Sequence, residues 1–176
     1  SVEELEGFRD ALLELCIPVD FKGETVMDLC GTGGDGQNTF NVSTAASFVV
    51  AAMGVKVAKH GNYGVSSVSG SSNVLEAMGV KFSNEQGFLD RCLEEANIAI
   101  LHAPLFHPAM KNVAPIRKSL ALKTFFNMLG PMVNPARPNL QLVGVYDLEL
   151  LRKYHYLYQK TTKTYCILHD LNRYDE

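Results

Sequence analysis

The stretch DLCGTGGDGQNTFNVST, residues 28–44, joins a short apolar run to an alanine-rich helical pattern through a glycine-rich turn. Upstream, TVMDLC at about 25–30 reads as a strand. Downstream, a helix is expected from about Ser43 to Met53, closing at Gly54. Gly31, Gly33 and Gly36 stand in G-x-G-x-x-G order. A strand, a tight glycine turn and a helix in succession are the opening unit of a parallel α/β sheet, in which ligands bind beyond the carboxyl ends of the strands.

The same alternation runs outward in both directions. Leu5, Phe8, Leu12 and Leu15 recur at helical spacing and Pro18 ends that helix. After the glycine turn come the β-branched run VKVAKHG, a second loop rich in glycine and serine (GNYGVSSVSGSSN), a short helix VLEAM, the helical NEQGFLDRCLEEA and the apolar strand IAILH. Residues 107–130 read as mostly helical, interrupted at Pro115. QLVGV is a strand, DLELLRKYHYLYQK a helix and TYCILH the last strand. Nearly continuous apolar strands alternating with helices predict the α/β class, a mainly parallel sheet flanked by helices on both faces. AMGVK occurs at 52–56 and again at 77–81, each time as a helix stop on a left-handed glycine.

Composition narrows the function classes. The chain has 176 residues, 47% of them hydrophobic and 20% charged, with a net charge of -3. This balance gives no global attraction for nucleic acid or an acidic membrane, so any anion site must be local. Cys16, Cys30, Cys92 and Cys166 form no C-x-x-C pair and are expected to be buried thiols of a reducing compartment. With neither a membrane-length apolar run nor a signal-like N-terminus, the expectation is a cytoplasmic protein. The chain opens on a helical pattern without Met and stops soon after a strand, as a segment of a longer chain would.

Three readings of the glycine turn compete with a bare turn. A dinucleotide fold or a methyl-donor loop needs an acid after the second strand to hold a ribose hydroxyl. That strand instead ends in Lys59 and His60, and a cation there suits phosphate. A Walker loop needs Gly-Lys-Ser/Thr after the glycines, and none follows. A ligand with several phosphates would use Gly33, Gly34, Asn41, Ser43 and Thr44 for close backbone approach, hydroxyl donors and the open N–H groups of a helix start. Lys59 would add a point charge, and Ser67 and Ser71 would close the second side. Polyphosphates bring Mg2+, for which Asp35, Asp175 and Glu176 are candidate carboxylates.

Taken together, Gly31-Thr32-Gly33-Gly34-Asp35, Asn41-Val42-Ser43-Thr44, Lys59-His60-Gly61-Asn62 and the serine-rich 65–72 resemble the motif series of the anthranilate phosphoribosyltransferases. Pro115-Ile116-Arg117, Phe126 to Pro131, Asn134-Pro135 and Asp175-Glu176 continue the resemblance in order along nearly the whole chain. The resemblance implies transfer of phosphoribose from phosphoribosyl pyrophosphate (PRPP) to the amine of anthranilate, in tryptophan biosynthesis, with Mg2+ as cofactor. It implies that residues 1–20 belong to, or link from, a small helical domain, that 21–176 are part of an α/β domain with further sheet after it, and that the full-length protein is a homodimer.

The resemblance also implies roles, position by position. Gly31, Gly34, Asp35, Thr39, Asn41, Val42, Ser43 and Thr44 face PRPP, joined by Lys59, His60, Gly61, Asn62, Ser66, Ser67 and Ser71. Gly31, Asn62 and Arg117 contact anthranilate, where a guanidinium grips a carboxylate through two parallel bonds. Ser43, Asp175 and Glu176 hold the metal. Lys59 and Arg117 are the catalytic pair, acting by positioning and charge. His60 is either a proton relay or a structural loop histidine, His102, His107 and His155 are structural or surface residues, and His169 borders the metal site. The chain departs from many members at Tyr63-Gly64, where Arg-Ser is usual, at Val68 (lysine), at Asn73 (an acid) and at Lys123-Thr124 (Arg-Thr). Two alternatives stand beside this reading: a nucleoside phosphorylase of related fold, and a non-catalytic module binding a phosphoribosyl ligand.

Overall fold

The computed structural model describes residues 1–33, 35, 39–64, 69–113, 119, 124–172 and 174–175. Helix α1 (Val2–Leu15) is started by a capping box, with the Ser1 hydroxyl accepting from the Glu4 N–H and the Glu4 carboxylate answering at the N-terminus. Five strands follow: β1 (Met27–Gly31), β2 (Val57–Gly61), β3 (Ile98–His102), β4 (Leu140–Gly144) and β5 (Thr164–Leu168). They form one parallel sheet in the order β3-β2-β1-β4-β5. The chain winds outward from β1 to β3, then returns to β4 on the other side. The switch of direction lies between β1 and β4, where a crevice for ligand is expected at the carboxyl ends.

Helices α2 (Val42–Ala52), α3 (Ser71–Ala77), α4 (Gln86–Ala96), α5 (Ala103–Phe106), α6 (Phe126–Leu129) and α7 (Leu148–Tyr158) supply the connections. The two AMGVK stops fall at Gly54 and Gly79, with φ of +90° and +85°. A side chain at either would force its backbone into a strained left-handed well. Between 107 and 130 most of the described residues are helical, as the sequence suggests: 110–113 and Ser119, then α6 and a 3-10 turn (Gly130–Met132), while Pro115 lies outside the described residues.

One face of the sheet is covered along its width. Ala58, Ala99 and Leu101 pack with Leu89 and Leu93 of α4. Val143 packs with Leu5 of α1 and Leu150, Tyr154 and Leu157 of α7. The other face carries Leu29 and Val57, which α2 covers through Ala51. The sheet is thus flanked by helices on both faces, as expected, with Thr164, Cys166 and Leu168 of β5 exposed among the described residues. The four cysteines are likewise not all buried: Cys16 is, Cys30 and Cys92 are half-buried, and Cys166 sits on the outer face of the edge strand. Helix α2 contains no charged residue, yet Val49 is 61% and nearby Met53 77% exposed.

Candidate active site at the carboxyl ends of the strands

The glycine turn after β1, the start of α2, Lys59 and Asp175 come together at the carboxyl ends of the strands. Thr32, just past β1, donates its N–H to the Gly144 carbonyl at 3.0 Å, so the turn leaves the sheet at the switch point. The Asp175 carboxylate accepts from the Gly33 N–H, 142 residues away in sequence. Asp175 is buried. Folding thus brings the C-terminal acid onto the glycine turn, a meeting that spacing along the chain does not reveal.

Ser43 and Thr44 occupy the first turn of α2 and are buried. Asn41 is the N-cap residue, but its side chain makes no capping bond. Its amide instead donates to the Ser69 carbonyl at 3.4 Å, tying the first glycine loop to the second. The helix start therefore keeps N–H groups that no cap side chain takes up, the arrangement that favours an anion. The hydroxyls of Thr32 and Thr44 are buried with no hydrogen-bond partner among the described residues. Buried polar groups seldom go unpaired without a functional reason.

Lys59 lies on the α2 side of β2 and is 1% exposed. Its ammonium donates to the Leu29 carbonyl at 2.7 Å and to the Ser43 hydroxyl at 3.4 Å. The sequence suggests a point charge, and the structure places that charge beside the Ser43 hydroxyl. Asp28, on the opposite face of β1, is buried as well. Burial pushes its carboxyl above the ordinary range, and the Lys59 ammonium opposes the shift.

His60 points to the other face, where its Nδ1 lies 3.2 Å from the Gly130 carbonyl. That contact requires an N–H at Nδ1 and leaves the lone pair on Nε2. Burial pushes His60 down to about 4, against the Gly130 bond and helped by Lys59. His107 is also pushed to about 4 by burial and by His60, and the two rings lie 5.3 Å apart. His60 Nε2 is buried without a hydrogen-bond partner among the described residues, whereas the Val133 backbone opposes the shift of His107. His107 is thus a buried residue packed beside His60, in keeping with the structural role expected for it.

The second loop is shaped by close packing. A Cβ on Gly70 would stand 2.6 Å from the Asn62 carbonyl oxygen and would also strike the Gly64 nitrogen. Asn73 accepts from both the Gly64 and Gly70 N–H groups at 3.0 Å. Asn62 is exposed, and its carbonyl takes the Ser72 N–H at 3.1 Å and the Ser71 hydroxyl at 3.4 Å. The Ser72 hydroxyl and His102 Nδ1 are 2.8 Å apart, so His102 is a packing and anchoring residue at the end of β3. His155 contacts the Tyr165 hydroxyl at 3.1 Å, and His169 Nδ1 contacts the Val145 carbonyl at 2.9 Å.

Gly31 and Gly61 end β1 and β2 and Val42 opens α2, while Asp35 is half-buried in the glycine turn and Thr39 is exposed before the helix. Gly34, Ser66, Ser67, Arg117 and Glu176 lie outside the described residues, as do Val68 and Lys123. Among the described residues no group of three His, Cys, Asp or Glu is placed to hold a metal. No described helix is long and apolar enough to cross a membrane.

The chain is similar to proteins of known name. It is 73% identical over all 176 residues to an anthranilate phosphoribosyltransferase of Christiangramia forsetii, of which it covers 53%. It superposes with a TM-score of 0.91 on the crystal structure of anthranilate phosphoribosyltransferase from Thermus thermophilus, at 37% identity, covering 99% of this chain and 53% of that one. With the Saccharomyces cerevisiae enzyme in complex with PRPP and Mg the TM-score is 0.92 at 33% identity, covering 100% and 50%. The chain thus spans about half the length of these relatives. Residues 23–176 match the sequence model of the glycosyl transferase family, a/b domain, and the chain belongs to that family.

Proposed function

We propose that the protein transfers phosphoribose from PRPP to anthranilate, releasing pyrophosphate, as a step of tryptophan biosynthesis in the cytoplasm. The observation that carries this reading is the meeting of Asp175 with the Gly33 N–H at the switch point, beside an α2 start backed by Lys59. A carboxylate, hydroxyls, a helix N-terminus and a cation around one crevice are the set that a metal-bound pyrophosphate needs. The relatives' names point to the same substrates.

The donor chemistry fits Mg2+. Ser43 and Asp175 offer hard oxygen ligands, and the unpartnered Thr32 and Thr44 hydroxyls add two more nearby in sequence. Glu176 would complete the set. When bound, the metal supplies positive charge to the leaving pyrophosphate.

The chain's own residues do the rest. Gly31, Gly33, Gly34 and Asp35 approach the diphosphate, with Thr39, Asn41, Val42, Ser43 and Thr44 donating to it. Asn62, Ser66, Ser67 and Ser71 close the second side around Gly61. Lys59 holds charge behind Ser43 and stabilises the departing oxygens as the ribose carbon gains oxocarbenium character. Arg117, with Asn62 and Gly31, orients anthranilate for attack from the opposite face. The aromatic amine is neutral before attack and needs no strong base. His60, held neutral, presents Nε2 as a hydrogen-bond acceptor.

Residues 1–20 act as the link to a helical domain, and 21–176 as the first part of the α/β domain of a homodimer. Calorimetric titration of the full-length protein with PRPP tests the reading. Heat is expected with Mg2+ and much less without it, and no heat in either condition would sink it.

A further inference from the structure

Strand β2 is zipped to β3 by five register pairs, from Val57–Ile98 to Gly61–His102. Its seam with β1 has one, Met27–Val57. Met27 N–H donates to the Lys56 carbonyl at 2.9 Å, so the seam starts as an ordinary parallel ladder. Beyond Val57, side chains take over. The Ala58 carbonyl accepts from the Asn134 amide at 2.8 Å. The His60 N–H donates to Asp28 Oδ1 at 3.1 Å. The Leu29 carbonyl accepts from the Lys59 ammonium at 2.7 Å. Ala58 and His60 turn their peptide groups toward β1, as Leu29 turns its own toward β2, because alternate residues of a strand face alternate neighbours. These are the groups that a continued ladder would join to each other.

Asp28, Lys59 and Asn134 are at most 2% exposed. Three buried polar side chains are a costly substitute for backbone bonds, since each must be desolvated and fully paired. Asn134 is itself fixed, accepting the Ala136 N–H at 2.9 Å through its carbonyl oxygen. Gln141 Nε2 donates to Asp28 Oδ2 at 3.3 Å. The strip therefore has support on both sides.

We propose that Asp28 and Asn134 are positioning residues that keep the β1–β2 seam open at its carboxyl end, so that the Lys59 ammonium seats between Leu29 and Ser43. If the ladder closed, the Leu29 carbonyl would be taken by the His60 N–H, and Lys59 would lose the partner that aims it. This inference rests on the functional reading above for its consequence for PRPP affinity, but its structural part stands on the hydrogen bonds alone.

The test uses the full-length protein with Asp28→Ala and Asp28→Asn. Asparagine keeps an oxygen for the His60 N–H, and the unpartnered Oε1 of Gln141 can accept from the new amide once the glutamine turns over. Asp28→Asn is expected to hold PRPP affinity within about threefold, whereas Asp28→Ala weakens it by about tenfold or more, as small misplacements of a charged group do. Asn134→Ala should resemble Asp28→Ala. A crystal structure of Asp28→Ala should show the Lys59 ammonium displaced from the Leu29 carbonyl. Equal affinity in all variants, or losses in Asp28→Asn as large as in Asp28→Ala, would overturn the proposal. So would an unmoved Lys59. A wild-type protein that binds no PRPP would instead overturn the functional reading, and the structure of Asp28→Ala would still decide the seam.

Discussion

Strand β1 has two seams, and they are built differently. Toward β4 five register pairs run from Met27–Leu140 to Gly31–Gly144, and the ladder reaches Thr32. Toward β2 one pair is followed by contacts through Asp28, Lys59 and Asn134. The β4 side packs on an apolar core that includes Val143, Leu150, Tyr154 and Leu157. The β2 side leads to Ser43, His60 and the two glycine loops. The same strand is a structural member on one side and a mounting for charged groups on the other. Backbone ladders give stability at low cost because every donor meets an acceptor by geometry; side chains must be desolvated to do the same.

This contrast can be broken most directly at Lys59. Lys59→Met in the full-length protein should lower kcat/KM for PRPP by about 100-fold or more, as loss of a preorganised charge does. Turnover within about threefold of wild type, in a variant folded by circular dichroism, would move the function away from the open seam.

The second test is pH. His60 and His107 are each held near 4, below the ordinary 6.5. The unfolded chain therefore binds more protons between these values. Stability conferred by keeping the rings neutral is complete above about 6.5 and is lost as pH falls toward 4, by up to about 3 kcal/mol from each ring. Urea melts at pH 7, 5.5 and 4 check it. Replacing His107 with Phe should flatten the slope, and an unchanged slope would mean that other groups carry it.

On the closed seam the expectation reverses. Val143 is fully buried in β4. Val143→Ala should cost about 2 kcal/mol of stability from lost burial and a residual cavity. Its KM values should stay as in the wild type, and a rise in the KM for PRPP would show that the two seams are coupled. Smallest of all is Cys166→Ser on the outer face of β5, expected to change stability by less than about 0.5 kcal/mol, as exposed substitutions do. A larger loss in the full-length protein would show that the rest of the chain covers that face.

How far the fold was legible follows from the kind of signal. Strand IAILH and β3 coincide, because an apolar run between a left-handed Asn97 and a helix start leaves little choice of ends. The short helix α3 starts at Ser71, earlier than VLEAM suggests, since its first turn is polar and packs under Asn62. Within the candidate site, Ser43, Thr44 and Lys59 are singled out in the sequence by residue type and by their place at a helix start and near a strand end. Asp28 was the visible missed signal: an acid inside an apolar strand reads as noise until its partners are known. Asn134 and His107 acquire meaning only from the atoms beside them.

The sequence by itself determined the alternation of strands and helices, the glycine stops at 54 and 79, and a phosphate-friendly loop chemistry, because each depends on neighbours within a few residues. Only the tertiary structure decided that Asp175 reaches Gly33, that Lys59 is buried behind Ser43, and that β1 opens toward β2 while it closes toward β4. Those outcomes depend on strand order and on which face of the sheet each side chain takes. Contacts over more than a hundred residues leave no local trace in the chain.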